Sequence, residues 1–218
     1  MILKTILGSF LYVKSYKKAL FQATLLPIAI SLFLELSASS INSSWVAFAS
    51  NILIYVLYSI VAVNVHNIVI NGPDSVPKWG RFKIGAIELR FMGHGLLLSI
   101  MFLVAATLGS LLGYAVIFLL IITGIIACRL SLVFPAIAIG KEVSFPYAWE
   151  LTSGKTLYVF CVVALFPVAL GLILWPLQIM GVPQVVMSML GFLVTIITMT
   201  SLSLAHKLLT DDQPSEYR

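Results

Sequence analysis

The sequence is short of charge. Only 10% of its 218 residues are Asp, Glu, Lys or Arg, while 61% are hydrophobic and the mean hydropathy is +1.09. A soluble domain carries about 25% charged residues. Such a chain lacks the polar surface to clothe a water-soluble globule, which excludes a soluble enzyme. Cysteine is scarce too. Cys128 and Cys161 sit in or beside apolar runs, without CxxC or Cys/His ligand spacing, so neither a disulfide scaffold nor a zinc site is expected. Catalytic signatures are missing as well. There is no nucleophile elbow, phosphate-binding glycine loop, pair of catalytic carboxylates or HExxH, and Ser131, Ser153 and Cys161 have no base nearby in sequence. Acidic residues number eight against thirteen basic ones, for a net charge of +5. In a soluble protein that excess would hint at nucleic acid. In a membrane chain it reads as Lys and Arg gathered on one side of the bilayer, and no nucleic-acid partner is expected.

What the sequence does have is long apolar runs. Six lie near Ala19–Leu36, Trp45–Ile70, Phe91–Leu108, Gly113–Ile139, Thr156–Leu177 and Val185–His206. Each comes close to or exceeds the roughly 20 residues of a transmembrane helix, and none alternates as a barrel strand would. The breaks carry turn chemistry, as in Asn71-Gly72-Pro73-Asp74 and Met180-Gly181-Val182-Pro183. The expected fold class is all-α: a polytopic membrane protein with six transmembrane helices. Residues 1–206 form a single transmembrane domain, and 207–218 a polar cytoplasmic tail whose end, TDDQPSEYR, has a disordered composition.

Charge sets the orientation. Lys4, Lys14, Lys17 and Lys18 precede the first span, and Lys78, Arg81, Lys83 and Arg90 lie between spans two and three. Arg129, Lys141 and Lys155 surround the end of span four, and Lys207 and Arg218 follow span six. The three alternate loops hold no basic residue. The positive-inside bias then places both termini in the cytoplasm, and the alternation itself supports six spans.

The N-terminus resembles a signal peptide only briefly, because lysines break its apolar run and no small-residue cleavage site follows. Ile2, Leu3, Ile6, Leu7, Phe10 and Val13 instead share one helical face, the pattern of an interfacial helix. Two further amphipathic segments precede later hairpins. PKWGRFKIGAIELRF groups Trp79, Phe82 and Ala86. SFPYAWELTSGK offers Ser144 as a cap, Pro146 in the first turn and Gly154 as a stop. The spacing suggests three repeats of cytoplasmic amphipathic helix plus helical hairpin, about 1–70, 77–140 and 144–206.

Ionisable residues in a membrane are costly and draw attention for that reason. At about 1.5 Å per residue, Arg129 lies roughly 24 Å from Gly113, so its guanidinium snorkels to the inner headgroups as an anchor. The stretch after it should kink at Pro135. By the same arithmetic His66 and His206 end their spans about 31 Å from the outer face, while His94 opens span three. These histidines, with Glu88 and Arg129, form a candidate polar layer at the cytoplasmic side, either a shared proton-handling or metal site or ordinary interfacial residues. No HxxxH or Glu-x-x-His spacing forces ligation, and neither a metal nor another cofactor is expected. Asn64, Asn67 and Asn71 fall on one face of span two, with Asn51, Tyr55 and Tyr58 as a second stripe; such faces line a path or bond neighbouring helices. Glu35 is the one acid near the outer face, and Gly109-x-x-x-Gly113 falls at a hairpin bend.

The stretches VHNIVINGP, IELRF and RLSLVFPAIAIGKEVSFPYAWELTSGK resemble a family of uncharacterised bacterial multi-pass inner-membrane proteins. The matching positions are His66, Glu88 to Phe91, Arg129 to Gly140 and Trp149 to Gly154, with Asn67 standing where the pattern has arginine. The layout is similar to the YciC-like and glycerophosphodiester-phosphodiesterase-associated membrane domains. The resemblance implies a bacterial inner-membrane address but no activity, since the phosphodiesterase catalytic domain is absent.

Three functions follow as expectations. The first is a non-enzymatic scaffold or accessory subunit, with the lipid bilayer and a membrane-protein partner or second copy around it. The second is a small transporter or lipid-handling protein, its path lined by Asn64 and Asn67 with Arg129 as an anion contact. The third is an intramembrane enzyme built on the histidines.

Overall fold

In hydrocarbon a backbone must satisfy its own polar groups, and long apolar runs do so as helices. The computed structural model describes residues 1–41, 43–111, 113 and 115–212, and among these there are helices and turns but no strand. The order is α1 (Ile2–Ser15), α2 (Lys17–Ser40), α3 (Ser44–Asn71), α4 (Ala86–Leu111) and α5 (Ala115–Leu130). Then follow α6 (Val133–Ala138), α7 (Phe145–Leu151), α8 (Thr156–Phe160), α9 (Phe166–Ile179) and α10 (Gln184–Asp211). Six stretches are long and apolar enough to cross a membrane, with α5–α6 and α8–α9 each counting as one. The chain is an all-α, multi-pass membrane protein. The tail expected from 207 begins as helix, because α10 runs through Asp211; its last six residues lie outside the described ones.

Helical hairpins pair α2 with α3, α4 with α5 and α9 with α10. Their connectivity brings every described Lys and Arg to one end, here called the basic end. At the opposite bend Gly109 lets α4 and α5 close, since a Cβ there would meet Val116 Cγ2 at 2.6 Å. Residues 112 and 114 of that bend lie outside the described ones.

The lead-in segments are unequal. Helices introduce the first and third hairpins, as expected from the sequence. PKWGRFKIGAIELRF does not: 76–85 form an irregular strap, and helix starts only at Ala86. Pro77, Gly80 at φ +76° and Gly85 override the helical spacing of Trp79, Phe82 and Ala86.

Two departures from regular helix shape the core. α5 stops at Leu130 and α6 restarts at Val133, so the break precedes Pro135. A proline ring collides with the carbonyl four residues back, here Ser131, and the chain turns there. Between α8 and α9 a π-turn spans Cys161–Leu165; Pro167, without an N–H, leaves the carbonyl of Val163 without its usual donor.

The core gathers at the basic end. Leu132, Val133, Ala136, Ile137 and Ala138 are fully buried or nearly so, and α6 packs against α3, α4, α7 and α10. Every residue of α3 from Ser59 to Val69 is buried. A second cluster joins Leu20 and Ala23 of α2 to Val61, Val65 and Ile68. By contrast, 6% of the most apolar stretch of α4 is buried, against 39% for α3. α1 turns Thr5 and Ser9 inward, leaving Leu3, Leu7 and Leu11 exposed. The apolar face is thus divided: Ile2 and Val13 pack against the buried clusters and Phe10 meets Phe166, while the leucines face outward, as suits a helix lying between protein and lipid.

Candidate functional site

Irregular backbone at membrane depth is tolerated only where other protein groups satisfy it. The basic end contains three such segments: the strap, the α5–α6 break and the loop into α7. The candidate polar residues are distributed among them.

Asn64 serves the strap. Its Oδ1 accepts the Arg81 backbone N–H at 2.9 Å, and its Nδ2 donates to the carbonyls of Arg81 and Ala23, each at 3.3 Å. Gly80 lies in this contact; a Cβ there would stand 2.3 Å from the Ala23 carbonyl oxygen. Glu88, almost fully buried, accepts the Gly85 N–H at 2.9 Å through Oε2 and faces the Arg81 guanidinium at 3.9 Å through Oε1. The strap is therefore held at two points.

Asn67 serves α6. Its Nδ2 donates to the Ala138 carbonyl at 2.6 Å, at the C-terminus of the short helix, and to Val63 at 3.1 Å. Asn71 donates to Asn67 Oδ1 at 3.1 Å. Asn64 and Asn67 are 1% and 6% exposed, so this face is a sealed contact and not the wall of an open path.

Arg129 joins α5 to α7. Nε donates to Thr152 Oγ1 at 2.9 Å and Nη2 to the Trp149 carbonyl at 2.7 Å, while Cζ stacks 3.5 Å from the Trp149 ring centroid. This is the geometry of an anchor. The indole and two hydrogen bonds together satisfy a guanidinium that would be costly to leave unpaired.

The histidines have separate partners. His66 Nδ1 shares a hydrogen bond with Ser203 Oγ at 2.6 Å, tying α3 to α10. His206 Nε2 meets the Tyr147 hydroxyl at 3.1 Å, and its Nδ1 is buried without a hydrogen bond. Burial pushes the Tyr147 phenol up, with a hydrogen bond to Thr210 working the other way, so the hydroxyl stays protonated. His94 bonds its own helix at Arg90 O, 2.8 Å, and meets the edge of Phe145. Among the described residues no three His, Cys, Asp or Glu side chains group as metal ligands. His66 also lines an apolar cavity of about 220 Å³ between α3, α4, α6 and α10, together with Tyr58, Phe91 and Phe134.

Other contacts were not evident from the sequence. Thr5 and Tyr158 share a hydrogen bond at 2.8 Å, linking α1 to α8, and Tyr12 donates to the Ile68 carbonyl at 2.7 Å. Burial, with Tyr16 adding to it, pushes the Tyr12 phenol up to about 12, which keeps that donor protonated. Ser203, Thr152 and Tyr147 look ordinary in sequence. Thr152 alone carried a signal, through the Trp149 to Gly154 pattern. At the far end, Glu35 accepts from Ser188 at 3.1 Å and joins α2 to α10, and Asn51 is exposed; Tyr55 reaches toward the basic end and donates to Met92 O at 2.7 Å.

Chemically, the arrangement immobilises backbone: most of these polar groups face a carbonyl, an amide or each other. Compared with known protein families, with curated proteins and with solved structures, the chain matches none.

Proposed function

We propose that this multi-pass membrane protein is a non-catalytic scaffold or accessory subunit, lying in a bacterial inner membrane with its basic end and both termini in the cytoplasm. The observation that carries the reading is the contrast within the fold. Polar side chains are consumed in closing the basic end, whereas α4 stands with nearly all of its apolar surface uncovered. A rigid base with one uncovered apolar helix suits holding a membrane partner or second copy better than passing a solute. The sealed contacts of Asn64 and Asn67 argue against a path along them. The separate partners of the three histidines argue against joint catalysis. The resemblance to YciC-like membrane domains supports the bacterial address, and the one-sided basic residues support the orientation.

The test is extraction in mild detergent followed by mass determination of the intact particle. A stoichiometric complex, in which a photo-crosslinker at Leu103 on α4 captures the same partner, is expected. A lone monodisperse chain with no crosslink at Leu103 would sink the reading. For orientation, a Lys78→Cys variant lacking the two native cysteines should label only from the cytoplasmic side.

A further inference from the structure

Two apolar grooves run along the outside of α2. One, of about 370 Å³ between α2 and α10, is lined by residues such as Phe21, Ile28, Met189 and Leu193 and has no charged residue in its wall. The other, of about 480 Å³, lies between α2 and α3. Ile30, Leu34, Leu53 and Leu57 line it, and the strap residues Phe82, Lys83 and Ile84 close its basic end. Both volumes fall within the range of about 300–1,000 Å³ typical of small-ligand pockets. The difference between them lies at one end.

In the α2–α3 groove the apolar wall runs along the helices, about 10 Å from Leu53 to Ile60, and ends at a cation. Lys83 is exposed and takes part in none of the ion pairs among the described residues. The neighbouring cation, Arg81, is already turned to Glu88. The backbone on either side of Lys83 is fixed, by Asn64 at Arg81 and by Glu88 at Gly85. A hydrocarbon groove parallel to the spans, capped by an unpaired ammonium on a fixed stretch of backbone where the basic residues gather, has the layout of a lipid: tail along the helices, phosphate at the end.

We propose that the α2–α3 groove holds one acyl chain of an anionic glycerophospholipid from the surrounding bilayer, with its phosphate paired to Lys83. The proposal goes beyond the scaffold reading and does not depend on it; it requires only that the chain is embedded in a membrane.

The α2–α10 groove is the internal control. The full chain is placed in vesicles of equal phosphatidylcholine and phosphatidylglycerol, extracted gently and weighed intact by native mass spectrometry. The wild type is expected to retain one phosphatidylglycerol in preference to phosphatidylcholine. Lys83→Glu should lower that preference about fivefold or more, the effect of roughly one cation at a membrane surface. Lys83→Gln should act in the same direction with a smaller change. Leu53→Trp, filling the groove from an exposed rim position, should abolish the retained lipid, whereas Leu193→Trp in the other groove should leave it in place. No preference in the wild type, an unchanged preference in both Lys83 variants, or equal loss in Leu193→Trp would overturn the proposal and leave ordinary annular lipid. All three positions are exposed, so melting at the wild-type temperature is expected throughout.

Discussion

Along α3 the two halves of one helix meet different surroundings. From Ser59 to Val69 nothing is exposed, whereas Trp45, Phe48, Ile52 and Leu53 near the other end face outward. Both halves are apolar, so hydrophobicity cannot have chosen which one becomes core. Lipid tails are as apolar as leucine, and burying leucine against leucine gains little over leaving it in lipid. The basic half differs in what surrounds it: the strap, and the short helix α6 that follows the α5–α6 break. Their open backbone groups need partners that lipid cannot supply. Packing concentrates where the chain is irregular, and Asn64, Asn67 and Arg129 are the means.

That contrast can be broken by substitution. The largest effect is expected for Gly80→Ala. A Cβ would strike the Ala23 carbonyl in a left-handed backbone, and the cost should be about 3 kcal/mol or more, read as a lowered melting temperature in detergent. If Gly80→Ala melts with the wild type, the strap is not held as described. Next comes Asn67→Leu, which strips the Ala138 carbonyl of its buried donor and should cost about 2 kcal/mol. Asn51→Leu, in the exposed half of the same helix, should stay within about 0.5 kcal/mol. Equal losses would erase the distinction between the halves.

Arg129→Lys keeps the charge but loses the fork and the stacking on Trp149, for about 1–2 kcal/mol. Hydrogen exchange should quicken in α7 and not in α4; uniform quickening would mean that the anchor is not local. The smallest effect has the opposite sign. Gly191→Ala, in open space in the apolar half of α10, should stabilise by about 0.5–1 kcal/mol through helix propensity alone. Any loss there would mean that the space beside Gly191 is not open.

Much of the fold was legible in sequence because lengths and charges survive without tertiary knowledge. Six apolar runs and alternating basic loops gave the spans, and Pro135 marked a break within four residues of the observed one. The strap was misread because Trp79, Phe82 and Ala86 fall at helical spacing. Pro77, Gly80 and Gly85 were the stronger signal, since they bear on backbone conformation directly. The inward face of α1 was not readable from periodicity. Apolar faces mark the protein core in water, but in a bilayer they can as easily mark lipid. The polar residues were identifiable as candidates, yet their partners were not. Asn67 reaches a carbonyl 71 residues away and His66 a serine 137 away, pairings that nothing local encodes.

The π-turn at Cys161–Leu165 divides the fifth span into two independently facing halves. Five-residue spacing in its hydrogen bonds admits one extra residue, and one residue is about 100° of helix rotation. A stripe drawn along α8 therefore does not continue along α9. α8 packs on α5, whereas α9 packs on α10. One span serves two neighbours because its phase is reset midway, and Val163 and Pro167 sit where that reset is made.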